Sequence, residues 1–154
     1  YLPIDPKALP YWRISGALTG LVYWLALAGL IALCLLSIWP RELILPGALL
    51  VLALTVYSVL LAPSIRWRTW RYLVTEQQIE LRYGVLIRHH VIIPMVRVQH
   101  VDTEQGPLLK SFGLSTVIIA TAAGRHHIPA LADAVAAELR EKISLLARVV
   151  DEDV

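Results

Sequence analysis

The chain has 154 residues, 57% of them hydrophobic and 17% charged, with a mean hydropathy of +0.63 and a formal net charge of +2 at pH 7. A composition this apolar excludes an ordinary soluble domain, and so small a net charge gives no footing for nucleic-acid binding. The single cysteine, Cys34, excludes an internal disulfide framework.

The charges divide the chain into two regions. Residues 1–62 hold only Asp5, Lys7, Arg13, Arg41 and Glu42, while the remaining 92 residues hold 21 charges. No charge falls within 14–40 or within 43–65, runs of 27 and 23 residues. A helix needs roughly 20 apolar residues to cross hydrocarbon. The reading is therefore a tail over 1–13, a two-helix transmembrane hairpin over 14–62 with spans at about 14–38 and 43–62, and a separate domain over 63–154. The first apolar run is too long for a signal h-region of roughly 7–15 residues, and a second run follows at once, so both are expected to stay as spans.

Tyr11, Trp12 and Arg13 precede the first span and Trp39, Pro40 and Arg41 follow it, the aromatic and basic flanks of two water interfaces. Pro46 falls in the first turn of the second helix, where a missing N–H costs little, and Pro63 is expected to end it. Lys7 and Arg13 on one side and Arg66, Arg68 and Arg71 on the other outweigh Arg41 in the loop, which places both termini in the cytoplasm. Gly16 and Gly20 in "SGALTG" fit either a close helix approach or lipid-facing filler. Neither span carries an ionisable acid, base or histidine, so the signature of an ion pathway is missing.

Beyond Arg66 the period changes from helical to alternating. "WRYLVT" places Trp70, Tyr72 and Val74 on one face, and "IELRY", Ile79 to Tyr83, alternates strictly, with Glu76 to Gln78 as the turn between these strands. Leu86 to Ile93 and Val96 to Thr103 read as two more strands separated by Pro94. Leu114 to Thr121 reads as a strand covered on both faces, followed by a short one ending at Ile128. From Pro129 the apolar residues Leu131, Val135, Leu139, Ile143, Leu146 and Val150 recur at helical spacing, and the acidic tail "DEDV" reads as disordered. The soluble part is thus about six antiparallel strands in meander order and one amphipathic helix.

The phrases "RYLVTEQQIELRYGVL" and "IPMVRVQHVDTEQGPLLKSFGLSTVIIATA", behind an apolar hairpin and ahead of an amphipathic helix, resemble the bacterial pleckstrin-homology (PH)-like membrane proteins of the YdbS type. The resemblance covers essentially the whole chain. It implies an α+β membrane protein in which the hairpin precedes a PH-like antiparallel β half-barrel, capped by the C-terminal amphipathic helix at the inner face of the bacterial cytoplasmic membrane. It also implies a small subunit working with a larger membrane protein that carries several PH-like domains, or as a homo-oligomer. It implies no settled biochemical activity.

Three groups of residues are candidate sites. Arg66, Arg68 and Arg71, with Trp67 and Trp70, leave the membrane directly and suit either topology anchoring or contact with lipid headgroups. The turn at Glu76, Gln77 and Gln78 has no base, which argues against inositol-phosphate binding there. His89, His90, His100, His126 and His127 lack metal-ligand spacing, and Ser111, Ser115, Thr116 and Asp102 form no nucleophile motif, so no metal, cofactor or catalytic residue is expected. In "QGPLLKSFGL", Gly106, Pro107 and Gly113 read as a structural turn. Within it, Leu108 and Phe112 can fold back as a lid, or Leu109, Lys110 and Phe112 can face a partner. The expected function is a non-catalytic, membrane-anchored scaffold or assembly subunit. The competing one is a module that binds lipid headgroups or peptides at the membrane surface.

Overall fold

A computed structural model describes residues 1–152 and divides them into two compact units, one made of Leu9–Ile65 and the other of Tyr1–Ala8 with Arg66 onward. The hairpin unit is carried by α1 (Ala8–Leu35), a 3-10 turn (Arg41–Leu43), α2 (Ile44–Val56), a π-helical turn (Tyr57–Leu61) and α3 (Ala62–Thr69). Two helical runs, Ala8–Leu35 with 28 residues and Arg41–Thr69 with 29, are long and apolar enough to cross a membrane. In their most apolar stretches 17% of the first helix and none of the second is fully buried, whereas the core helix of a soluble protein is mostly buried.

Both helices end away from their expected limits. The first begins at Ala8 rather than near residue 14 and stops at Leu35, where Cys34 Sγ donates to the Pro40 carbonyl (3.3 Å) and Ser37 adopts a φ of +60°. The second continues through Pro63 to Thr69. A proline removes one helical donor and crowds the carbonyl four residues back. The π turn just before it widens the helix, and the Ala62 N–H reaches back five residues to the Tyr57 carbonyl.

The π turn also meets α1. A methyl group built on Gly16 would lie 2.1 Å from the Ser58 carbonyl oxygen, and one on Gly20 would lie 3.2 Å from the Thr55 methyl. Of the two readings of "SGALTG", close helix approach is the one realised.

In the other unit, the strands are β1 (Leu2–Pro3), β2 (Arg71–Val74), β3 (Gln78–Tyr83), β4 (His89–Pro94), β5 (Val98–Glu104), β6 (Leu114–Thr121) and β7 (Gly124–Ala132), with α4 (Pro107–Phe112) after β5 and α5 (Asp133–Glu152) at the end. They form two antiparallel meanders, β1-β2-β3-β4 and β5-β6-β7. Alternation works as expected in β3, where Ile79 and Leu81 are buried between more open neighbours. Strand β6 is covered on both faces, as its continuous apolar run requires. Helix α5 lies across β5, β6 and β7 and buries Ala136, Leu139 and Ile143.

Several boundaries differ from the sequence reading. The N-terminal segment is not a tail: Leu2 pairs with Tyr72 and Pro3 with Arg71, Ile4 is buried, and the Trp67 indole N–H donates to the Asp5 carbonyl (3.3 Å). Residues 85–87 form an open turn instead of the start of β4, and Met95–Arg97 make a 3-10 turn with Met95 buried. Residues Pro129–Ala132 remain in β7, so the helix begins four residues late and Leu131 fills the sheet core while Val135 is exposed. A β-bulge opposite Ser115 and Val117 accommodates Pro129, and Ala130 takes a left-handed φ of +54°. Asp151 and Glu152, expected to be disordered, are helical, and Asp153 and Val154 lie outside the described residues.

A single residue, Asp133, joins four of these pieces. Asp133 Oδ1 accepts from the Ser115 hydroxyl (2.6 Å) and from Gln105 Nε2 (2.9 Å), and Gln105 Nε2 also donates to the Leu114 carbonyl (2.9 Å). The Asp133 N–H closes the ring on the Gly113 carbonyl (3.1 Å). Ser115 is the only buried polar side chain among the described residues, and this bond satisfies it.

Two expected outcomes follow from this packing. Gly16→Leu should lower the stability of the detergent-solubilised protein by about 1–3 kcal/mol through overpacking against backbone, while Gly29→Leu, with nothing within 4 Å, should be nearly neutral in the same thermal melt. Asp133→Ala should destabilise by about 1–3 kcal/mol because it leaves the Ser115 hydroxyl buried without an acceptor. Asp102→Ala, which removes only an exposed contact with His100, should cost less than about 1 kcal/mol.

Candidate functional site

The segment from Arg68 to His90 builds a basic cleft. Helix α3 ends in "RWRT", β2 starts at once with Arg71, and the hairpin β3–β4 brings Arg82, Arg88, His89 and His90 back beside them. A depression of about 440 Å³ is lined by Arg68, Thr69, Arg71, Arg82, Tyr83, Gly84, Arg88, His89 and His90. Aromatic rings stiffen one side: Trp70 stacks on Tyr83 (4.9 Å between centroids) and Tyr83 on His89 (5.0 Å).

The arginines differ in how they are held. Arg71 Nη1 donates to the Trp67 carbonyl (3.3 Å) and the Trp70 carbonyl (2.7 Å), so it caps the end of α3. Arg82 places its guanidinium carbon 3.9 Å from the centre of the Tyr1 ring. Among the described residues the guanidinium groups of Arg68 and Arg88 have no hydrogen-bond or ion-pair partner. The cleft has one acidic neighbour, Glu80, whose carboxylate accepts from the Tyr1 hydroxyl, from Gln78 Nε2 (2.7 Å) and lies 3.1 Å from His90 Nε2. The Tyr1 hydrogen bond, with those of His90 and Gln78, pulls the Glu80 carboxyl down from 4.5 to about 2.

The turn between two lining residues of the cleft, Gly84 and Arg88, is apolar. Gly84 takes a φ of +110°, and a side chain there would sit 2.0 Å from the Ile87 carbonyl oxygen, so only glycine permits the turn. The turn carries Val85, Leu86 and Ile87, which are 51%, 98% and 73% exposed.

A second concave surface lies between the last helix and a sheet edge. Strand β5 pairs only with β6, leaving its other edge open among the described residues. Val98, Gln99, His100 and Val101 line one wall of a groove of about 340 Å³, and Ser144, Ala147, Arg148 and Asp151 of α5 line the other.

Of the residues named from sequence, Arg68 and Arg71 enter the basic cleft, while Arg66 is exposed and Trp67 half-buried on α3. The partner-contact trio is not brought together: Leu109 is buried, Lys110 exposed and Phe112 half-buried. Leu109 is the one fully buried residue of α4, and Leu108 and Phe112, the pair read as a lid, are each half-buried where the helix packs against β6. Gly106, Pro107 and Gly113 do frame that helix, with Pro107 as its first residue and Gly113 a left-handed cap. The histidines are split among β4, β5 and β7. Sequence reading missed Arg82, Arg88 and the 85–87 turn, although "YGVLIRHH" carries the signal of a glycine followed by three apolar and then basic residues.

The model of the bacterial PH domain matches residues 17–147. The chain belongs to the bacterial PH-domain family. This PH-like protein is 43% identical over 152 residues to the UPF0699 transmembrane protein YdbS of Bacillus subtilis (strain 168), an alignment covering 98% of the chain and 95% of that relative. No solved structure matches. The fold is therefore a PH-like pair of antiparallel sheets with a closing helix, behind two apolar helices.

The Glu80 cluster has a definite pH signature. A depressed carboxyl contributes stability above its unfolded value of 4.5, and that contribution fades as pH falls toward about 2. Thermal melts should show the native protein losing more stability between pH 4.5 and 2 than Glu80→Gln. Tyr1→Phe should move the Glu80 titration upward in a carboxyl-resolved NMR experiment.

Proposed function

We propose that this PH-family protein is a non-catalytic assembly module held by two spans at the inner face of the bacterial cytoplasmic membrane, with both termini in the cytoplasm. The distribution of Lys7, Arg13, Arg66, Arg68 and Arg71 against the lone Arg41 supports this orientation. The open edge of β5 beside α5 is the observation that carries the assembly role. An exposed edge offers a row of backbone donors and acceptors, and a groove alongside it gives side chains of an added strand somewhere to sit. The partner is an extended segment of a larger membrane protein. The groove walls suit such a segment, since Val98 and Ala147 provide apolar contact while Gln99, His100, Arg148 and Asp151 provide polar contact.

The full-length protein carrying a photo-crosslinking amino acid at Gln99 should form a discrete adduct in its own membranes, and the same probe at exposed Ala137 should not. An adduct of twice the protein's mass would assign the β5 edge to a second copy. No adduct at Gln99, or equal labelling from Ala137, would defeat the proposal.

A further inference from the structure

Guanidinium groups gathered on one concave surface repel one another, and an anion placed among them removes that repulsion. The cleft holds Arg68, Arg71, Arg82 and Arg88, with Glu80 as the one carboxylate at its border. Arg71 is partly engaged by backbone carbonyls and Arg82 by the Tyr1 ring, but Arg68 and Arg88 are left with their forks open among the described residues. Planar guanidinium forks match the oxygens of a phosphate better than they match a single carbonyl.

The neighbouring turn narrows the source of that phosphate. Val85, Leu86 and Ile87 are three consecutive exposed aliphatic side chains between Gly84 and Arg88, which line the charged cleft, and Leu86 is 98% exposed. A soluble phosphate gives such residues nothing to bury against, whereas a bilayer surface takes apolar side chains at the headgroup boundary and presents phosphates at the same level. Chain connectivity adds an independent reason, because Arg68 follows Ile65, the last residue of the hairpin unit, by only three positions. The turn at Glu76 and Gln77, at the opposite end of the β2–β3 hairpin, has no base and offers no such site.

We propose that the cleft of Arg68, Arg71, Arg82 and Arg88 binds the phosphate of an anionic membrane lipid while the 85–87 turn inserts at the headgroup boundary. The site is separate from the β5 groove, and its failure would leave the assembly reading untouched.

The test uses the full chain in detergent, with native mass spectrometry reading bound phosphatidylglycerol against phosphatidylcholine. Phosphatidylglycerol should be preferred, and Arg68→Gln with Arg88→Gln should weaken it about thirtyfold, the effect of removing two basic groups from an anionic surface. Arg97→Gln with Arg125→Gln, two exposed arginines elsewhere, should leave it unchanged. In a Cys34→Ala background, an environment-sensitive fluorophore on Leu86→Cys should report an apolar setting in lipid nanodiscs. Equal retention of the two lipids, or equal weakening by the control pair, would overturn the proposal. So would displacement of the lipid by millimolar inorganic phosphate, which marks a free-phosphate site. An aqueous signal at Leu86, or an apolar signal that rises with protein concentration in lipid-free detergent, would also overturn it, the latter by assigning the turn to a second copy.

Discussion

The carboxylate of Asp133 is the point through which the sheet-bearing unit is held in register. It receives the Ser115 hydroxyl and the Gln105 amide, while its own N–H binds the Gly113 carbonyl, so the exit of β5, the end of α4, the start of β6 and the start of α5 meet at one place. Helix α5 departs from that junction, and its course over β5 and β6 is thereby set. The groove beside the β5 edge is a consequence of that course. The stretch "QGPLLKSFGL" matters mainly as the connection that brings Gln105 and Ser115 to the same carboxylate.

Within the hairpin, the governing constraint is backbone satisfaction in a medium without water, where each helical N–H and C=O must be met internally. Pro63 breaks that rule by removing a donor from the second helix. The π turn from Tyr57 to Leu61 absorbs the break, and the Ser58 carbonyl comes to rest against Gly16 of α1, where no side chain intervenes. A proline at one end of a span and a glycine in the facing span thus belong to the same local solution, although 47 positions separate them.

The basic cleft is assembled differently, from charges that are distant along the chain and close only after the β3–β4 hairpin has formed. Register does the assembling: pairing of Arg82 with His90 and Tyr83 with His89 returns the chain past the end of α3, where Arg68 and Arg71 wait. Gly84 permits the narrow turn that leaves Val85, Leu86 and Ile87 outside the sheet. Read as a linear pattern, those same residues looked like the start of a strand because branched aliphatic residues favour strands wherever a sheet covers them. Here no sheet does.

What the sequence determined by itself was everything governed by local periodicity and by the distribution of charge: two uncharged runs of spanning length, the alternating strands β2 and β3, the doubly covered β6, and an amphipathic closing helix. These are legible because each residue's neighbours in the chain are also its neighbours on a face. The tertiary structure alone decided that the first residues join the sheet through Leu2 and Ile4, that β7 runs on through Pro129 to Ala132, that Leu109 is the residue α4 buries most deeply, and that four arginines share one surface. Each of those outcomes depends on which strand pairs with which and in what register, a long-range choice made by the burial of the whole core and by the few hydrogen bonds, such as those of Asp133, that fix the connections.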